Sequence, residues 1–154
     1  MPDGLQVRAA SPGDVARLVE WACAMAFETE AKRLDPDVVR RGIDAVLGQP
    51  GRGRYFVACD GDVPVGTLML TYEWSDWRCA DWWWIQSVYV DPAHRRRGVY
   101  RALYAHVLAQ ARAAEGVCGI RLYVEKENTA AQSTYAALGM GDAGYLMFEQ
   151  SLLR

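Results

Sequence analysis

Between Val88 and Arg101 the chain reads VYVDPAHRRRGVYR, and these residue types in this order suit an anion. A hydrophobic strand runs into a basic, glycine-containing turn that opens a helix. The first-turn N–H groups of a helix have no internal acceptor and carry partial positive charge, so a helix start is a ready anion site. Arg95, Arg96 and Arg97 add full charges at the same place. Gly98 lets a ligand approach the backbone with no Cβ in the way. Residues 95–101 therefore read as a phosphate or pyrophosphate site. The competing reading is a solvated basic turn before an ordinary surface helix. The loop has no GK[ST] and no GxGxxG, so it is neither a Walker A loop nor a dinucleotide loop.

The elements that would hold this loop can be read from periodicity. Leu5–Ala10 alternates as a short strand. Ser11-Pro12-Gly13-Asp14 is a helix start, and Val15, Leu18, Val19, Ala22 and Ala26 follow at helical spacing. Asp35-Pro36-Asp37 repeats the signal before Val38, Val39, Ile43, Val46 and Leu47. Tyr55–Cys59 and Val63–Tyr72 are strand-like runs joined at Asp60-Gly61, a tight hairpin turn. Glu73–Asp81 reads as a polar loop studded with Trp, and Trp82–Val90 as a central strand buried on both faces. A helix is expected from Gly98 to Glu115 and a strand at Gly119–Val124. Asn128 caps a short helix carrying Ala131, Tyr135 and Leu138, with Gly139 at its C-terminal end. Tyr145–Glu149 is expected as a last strand. The order β-α-α-β-β-β-α-β-α-β is an α/β layered fold on one mixed sheet.

Composition narrows the classes of function. A chain of 154 residues with 51% hydrophobic and 23% charged residues is one globular domain, residues 1–154. Its net charge of −2 gives no pull toward nucleic acid or an anionic membrane. Four scattered cysteines and two histidines offer no CxxC pair and no metal-ligand spacing, so no metal is expected. Residues 1–10 contain no apolar leader run, and no stretch approaches a membrane span. The expected location is the cytoplasm, with free thiols. The odd entry is tryptophan: five of the six fall between Trp74 and Trp84. Alternation sends Trp82 and Trp84 to one face and Trp83 to the other, as core packing or a dimer contact.

Two blocks bring the sequence to a known family. Val90-x-Pro92-x-x-Arg95-x-x-Gly98-x-Tyr100, after a hydrophobic strand and before an amphipathic helix, resembles the acetyl-CoA signature of the GCN5-related N-acetyltransferases (GNAT), [Arg/Gln]-x-x-Gly-x-[Gly/Ala]. Asn128-x-x-Ala131-x-x-x-Tyr135-x-x-x-Gly139-Met140 resembles that family's later helix. The spacing of the blocks and the order of elements extend the resemblance over residues 5–150. It departs at Tyr100, where Gly or Ala is usual. The ring either crowds the pyrophosphate or points away and leaves the main-chain amide in play.

The resemblance implies a GNAT-like, mostly antiparallel sheet flanked by helices, acetyl-CoA as cofactor, and transfer of an acetyl group to a primary amine. Val88, Tyr89 and Val90 would meet the pantetheine arm through the backbone, with an N–H near Val88 as oxyanion donor. Arg95, Arg96, Arg97, Gly98, Val99, Tyr100 and Arg101 would hold the pyrophosphate. Asn128 would touch the cofactor or serve simply as a helix cap. Tyr135 matches the general acid for the departing thiolate; by periodicity alone it is a core aromatic.

An amine of pKa ~10 must lose a proton before attack, at about 4 kcal/mol at pH 7. Glu73 and Asp76 are candidate bases, and so are Glu28 and Glu30 at the end of the first helix. Trp74 and Trp77 beside the first pair suggest the wall of an acceptor pocket, since carboxylates among aromatic faces suit a cationic amine. Each carboxylate is otherwise a solvated surface charge. No cysteine lies in a motif for an acetyl-enzyme, so direct attack in a ternary complex is expected. The competing functions are a non-catalytic acyl-CoA-binding module and a peptide N-terminal acetylase. By analogy with the family, a homodimer is compatible.

Overall fold

In a computed structural model that describes residues 4–153, five strands form one sheet in their sequence order: Leu5–Ala9 (β1), Arg54–Asp60 (β2), Val63–Ser75 (β3), Ala80–Val90 (β4) and Val117–Arg121 (β5). The first four are antiparallel to their neighbours, and β5 runs parallel to β4. The mixed, mostly antiparallel sheet expected from the sequence is present. Residues 1–3 and 154 of the expected 1–154 domain lie outside the described residues. The backbone divides into two compact units, Met1–Leu122 and Tyr123–Arg154, and the whole sheet belongs to the first.

Helices cover both faces of that sheet. Val15–Glu30 (α1) and Pro36–Gly48 (α2) bring Val15, Leu18, Trp21 and Ile43 against Val57, Cys59 and Tyr89. Val99–Ala113 (α3) lies on the opposite face, where Leu103 and Val107 are sealed from solvent along with Phe56 and Leu68. Burial of each such side chain contributes about 2 kcal/mol. Local chemistry fixes the helix starts. The Asp35 carboxylate accepts from the Asp37 amide with Pro36 in the first turn of α2. Ahead of α1, a short 3-10 turn at Pro12–Asp14 holds Asp14, whose carboxylate accepts from the Ser11 amide at 2.8 Å and pairs with both Arg8 terminal nitrogens at 2.7 and 3.0 Å.

The hairpin between β3 and β4 differs from its expectation as a Glu73–Asp81 loop. The ladder continues through Glu73↔Trp82, Trp74↔Asp81 and Ser75↔Ala80, leaving only residues 76–79 as the turn. Polar residues at 73–76 suggested a loop, but an edge exposed on one side accepts polar side chains within a strand. Strand β5 also begins two residues earlier than expected, at Val117.

In the second unit, Thr129–Ala137 (α4) is the single helix among the described residues. Asn128 Oδ1 accepts from the Ala131 amide at 3.1 Å, and Gly139 at φ 96° ends the helix in the left-handed conformation. The strand expected at Tyr145–Glu149 does not form: these residues carry no ladder, and Tyr145, Leu146, Met147 and Phe148 are exposed. The run is apolar at consecutive positions rather than alternating, so it lacks the pattern of a half-buried strand.

Candidate functional site

Strand β4 has a partner on each side for only part of its length. It pairs with β3 from Ala80 to Val90 but with β5 only from Asp81 to Trp84. Beyond Trp84 the side away from β3 is an open edge. Alternation assigns its groups. The Asp91 amide donates to Val65 O on the β3 side at 2.9 Å, so the N–H and C=O of Val88 and Val90 face the open edge. A β-bulge sits just before them, where Met69↔Ser87 is followed by Leu70↔Ile85 and Gln86 is the extra residue. The bulge bends the strand where β5 stops pairing. In the sequence, the polar pair Gln86-Ser87 inside an apolar run was the signal for it.

The loop at the end of this edge is built from two positions with positive φ, Arg96 at 64° and Gly98 at 81°. Gly98 adopts this region at no steric cost. The first hydrogen bond of α3 runs from the Ala102 amide to Gly98 O, so the amides of Val99, Tyr100 and Arg101 precede it and project from the helix start. The Tyr100 ring stacks along the helix on Tyr104, with centroids 6.5 Å apart and planes 19° apart. Side chains of Arg96, Arg97 and Arg101 make no ion pair or hydrogen bond with the described residues. Arg95 differs: its guanidinium turns back to Val90 O at 3.0 Å and Glu28 at 2.9 Å.

The four expected carboxylates have different fates. Both oxygens of Glu28 are engaged, one by Arg95 and the other by the Tyr89 hydroxyl at 2.8 Å. The Arg95 and Tyr89 hydrogen bonds hold the Glu28 carboxyl below the usual carboxylate range. Glu30 lies at the end of α1 in a solvent-exposed pair with Lys32 at 3.7 Å. Glu73 pairs with Arg121 at 2.7 Å across the sheet. Asp76 is in the hairpin turn, exposed to solvent.

The tryptophans are sorted by the ladder. Thr67, Met69, Thr71 and Glu73 alternate onto one face of β3, and their partners Tyr89, Ser87, Trp84 and Trp82 share it. Helices α1 and α2 pack over the Tyr89 end of this face. Ser87 and Thr67 there line a cavity of about 40 Å³ with Leu18, Trp21, Met25 and Tyr55. At the other end the Trp82 ring lies so close over Gly119 that a Cβ would strike it, with Arg121 at 3.9 Å from the ring centroid. Trp83 takes the opposite face, 7% exposed, against Tyr72. Trp74 is on that opposite face too, and Trp77, 90% exposed, is at the tip of the turn. Ala80 and Val88 are eight residues apart on β4, a path of about 27 Å. The structure therefore does not bring Asp76, Trp74 and Trp77 together with Val88.

Tyr135 and Asn128 both belong to the second unit. Tyr135 is half-buried on the face of α4 that also carries Ala131 and Leu138. Asn128 uses its carbonyl oxygen as the helix cap.

Comparison with known proteins bears on the whole chain. The model of the acetyltransferase (GNAT) family matches residues 15–140. Mycothiol acetyltransferase of Nocardia farcinica (strain IFM 10152) is 31% identical over 150 residues, which are 93% of this chain and 47% of that protein. The chain thus spans about half the length of this curated relative. A possible acetyltransferase from Clostridium difficile 630 superimposes with a TM-score of 0.92 at 39% identity, covering 99% of this chain and 100% of that one. An aminoglycoside N-acetyltransferase in complex with CoA, at 17% identity, shares the fold with a TM-score of 0.78 over 97% of this chain and 95% of its own.

Proposed function

The chain belongs to the acetyltransferase (GNAT) family, and we propose that it transfers the acetyl group of acetyl-CoA to a primary amine of a small, cationic acceptor by direct attack in a ternary complex. The observation that carries this reading is the open edge of β4 from Ile85 to Val90, which runs straight into the start of α3. An extended chain bearing amides binds such an edge as an added strand would. Pantetheine is a chain of that kind, and acetyl-CoA when bound supplies the activated thioester. The edge fits it: Val88 offers its N–H and C=O and Val90 its N–H in register, and the loop beyond offers amides and three uncommitted arginines for the pyrophosphate.

The residues of the chain divide the work. The Val88 N–H donates to the oxygen that gains negative charge during transfer, a contribution of about 3 kcal/mol at comparable donors. Amides of Val99 to Arg101, with Arg96 and Arg97, bind the pyrophosphate. The amide nitrogen of Asn128 remains for the cofactor while its oxygen caps α4. Tyr135 delivers a proton to the departing thiolate. The two compact units act as one domain, a reading supported by the family match that runs through both.

The acceptor comes to the face of β4 that carries Ser87, Trp84 and Trp82, because this face adjoins the reacting edge and the hairpin tip does not. Of the four carboxylates, Glu73 and Glu28 border this face, and Glu28 is already engaged by Arg95 and Tyr89, so Glu73 is the residue that draws a cationic amine and relays its proton.

Incubation with acetyl-CoA and a panel of aminoglycosides, amino sugars, polyamines and short peptides, read as free-thiol release, tests the assignment. Release with small cationic amines is expected. Binding of CoA with no release from any amine identifies an acyl-CoA-binding module instead, and release with peptides alone identifies an N-terminal acetylase.

A further inference from the structure

Arg95 is part of the basic loop in sequence, but its side chain serves the fold rather than the loop surface. Its Nε donates to Val90 O at 3.0 Å and its Nη2 to Glu28 Oε2 at 2.9 Å. Its guanidinium carbon stands 5.3 Å from the centroid of the Tyr89 ring. The Tyr89 hydroxyl donates to the second Glu28 oxygen at 2.8 Å. Three elements are thereby tied at one point: the last turn of α1, the end of β4 and the turn that leads to α3.

We propose that Glu28 is a positioning residue for the cofactor edge, acting through Arg95 and Tyr89 to fix the Val90 backbone and the entry to the anion-binding loop. The proposal rests on the reading of that edge as the CoA site. The geometry supports it in three ways. Both carboxylate oxygens of Glu28 are engaged within the fold, each by a different donor. Arg95 grips the carbonyl of Val90, the last group of the open edge, while the Asp91 amide is held from the other side by Val65 O. Arg96, Arg97 and Arg101 take no part in this bracket, which separates the arginine that shapes the site from those that meet the anion. The expectation that Glu28 deprotonates the amine is replaced by a role on the cofactor side. A carboxylate held in its ionised form by a guanidinium and a phenol is a weak proton acceptor.

CoA affinity, measured by titration calorimetry on the full chain, tests this. Glu28→Ala and Arg95→Ala should each weaken binding, the first by about fivefold for a half-exposed pair. The double variant should be no weaker than Arg95→Ala alone, because both remove one bracket. Glu28→Gln, which keeps an acceptor oxygen, should fall between wild type and Glu28→Ala. It should also retain kcat at saturating acetyl-CoA and the rising limb of the pH–rate profile. Should Glu28→Ala fold poorly, Tyr89→Phe removes one hydroxyl and carries the same comparison with Arg95→Ala. Unchanged CoA affinity in Glu28→Ala, losses that multiply in the double variant, or loss of kcat together with its rising limb in Glu28→Gln overturns the proposal. Failure of the wild-type chain to bind CoA sinks the underlying reading instead.

Discussion

Gly66 offers a sharp test of how the sheet sets the helix that begins the anion site. It pairs with Val90 in the ladder, and a Cβ built on it would stand 2.8 Å from Val99 Cγ1 and 3.1 Å from Tyr89 O. Neither neighbour can yield cheaply. Val99 is 2% exposed and stiff at χ1, and Tyr89 O belongs to β4 itself. Gly66→Ala therefore overpacks the contact between β3 and the first turn of α3. Overpacking of this kind costs about 1–3 kcal/mol. For a chain of this size, 2 kcal/mol lowers Tm by roughly 6 °C.

Relief requires α3 to lift at Val99, whose amide is one of the donors at the helix start. CoA affinity should fall along with stability. Val99→Ala on its own leaves a small cavity and costs about 1–2 kcal/mol. In the Gly66→Ala background it removes the clashing methyl. The double variant should be more stable than the sum of the singles by about 1 kcal/mol or more. Urea melts and CoA titrations on all four proteins give the cycle. A neutral Gly66→Ala, or strictly additive effects with Val99→Ala, refutes the claim that this close approach seats the helix.

Further outcomes are expected elsewhere. Arg96→Ala combined with Arg97→Ala should weaken CoA binding by about tenfold and flatten its dependence on salt, since charge-assisted contacts to phosphate are lost; unchanged affinity means that the anion lies elsewhere. Tyr135→Phe should cut kcat at least about tenfold with little change in CoA affinity, and full retention of rate removes it as the acid. Asp14 is buried beneath Arg8, whose hydrogen bonds hold its carboxyl below the usual range. Its pKa is lower folded than unfolded, so its stabilisation is complete above about pH 4 and is lost as pH falls through the folded value. The difference in urea stability between wild type and Asp14→Asn should shrink on that descent; a constant difference from pH 6 to 2 contradicts the assignment.

Most of the scaffold was legible because its signals are local. Ser11-Pro12 and Asp35-Pro36 announced their helices, Gly61 at φ 60° made the hairpin turn read from Asp60-Gly61, and Asn128 capped α4 as its type predicted. The turn into α3 was equally legible, since a helix start, a glycine and three arginines sit within a few residues. What escaped depends on partners distant in the chain. Nothing near Glu28 announces that Arg95 and Tyr89, 67 and 61 residues away, will occupy it. Nothing in Tyr145–Phe148 itself says that its apolar run forms no strand. The point at which β5 parts from β4 likewise belongs to the pairing of two strands and to neither alone.

The tryptophan cluster shows how register decides function. A loop from Glu73 to Asp81 would gather Trp74, Trp77, Glu73 and Asp76 around one pocket. Extending the ladder to Ser75↔Ala80 instead assigns each residue to a face, because paired residues share a side and neighbours alternate. Glu73 then parts from Trp74, and Asp76 and Trp77 move to a tip about 27 Å of strand from Val88. The same ladder carries Trp82 and Trp84 onto the face of Ser87, and the extra residue at Gln86 keeps them there: without the bulge, Ser87 would share a face with Trp83 and Ile85. With Gln86 in the chain, the bulge does two things at once. It bends β4 at the start of its open edge, and it aligns the aromatic surface with that edge. Deleting Gln86 removes bulge and extra residue together, so alternation still leaves Ser87 on the face of Trp84 and Val88 on the other, and any loss of CoA affinity in that variant measures the bend alone.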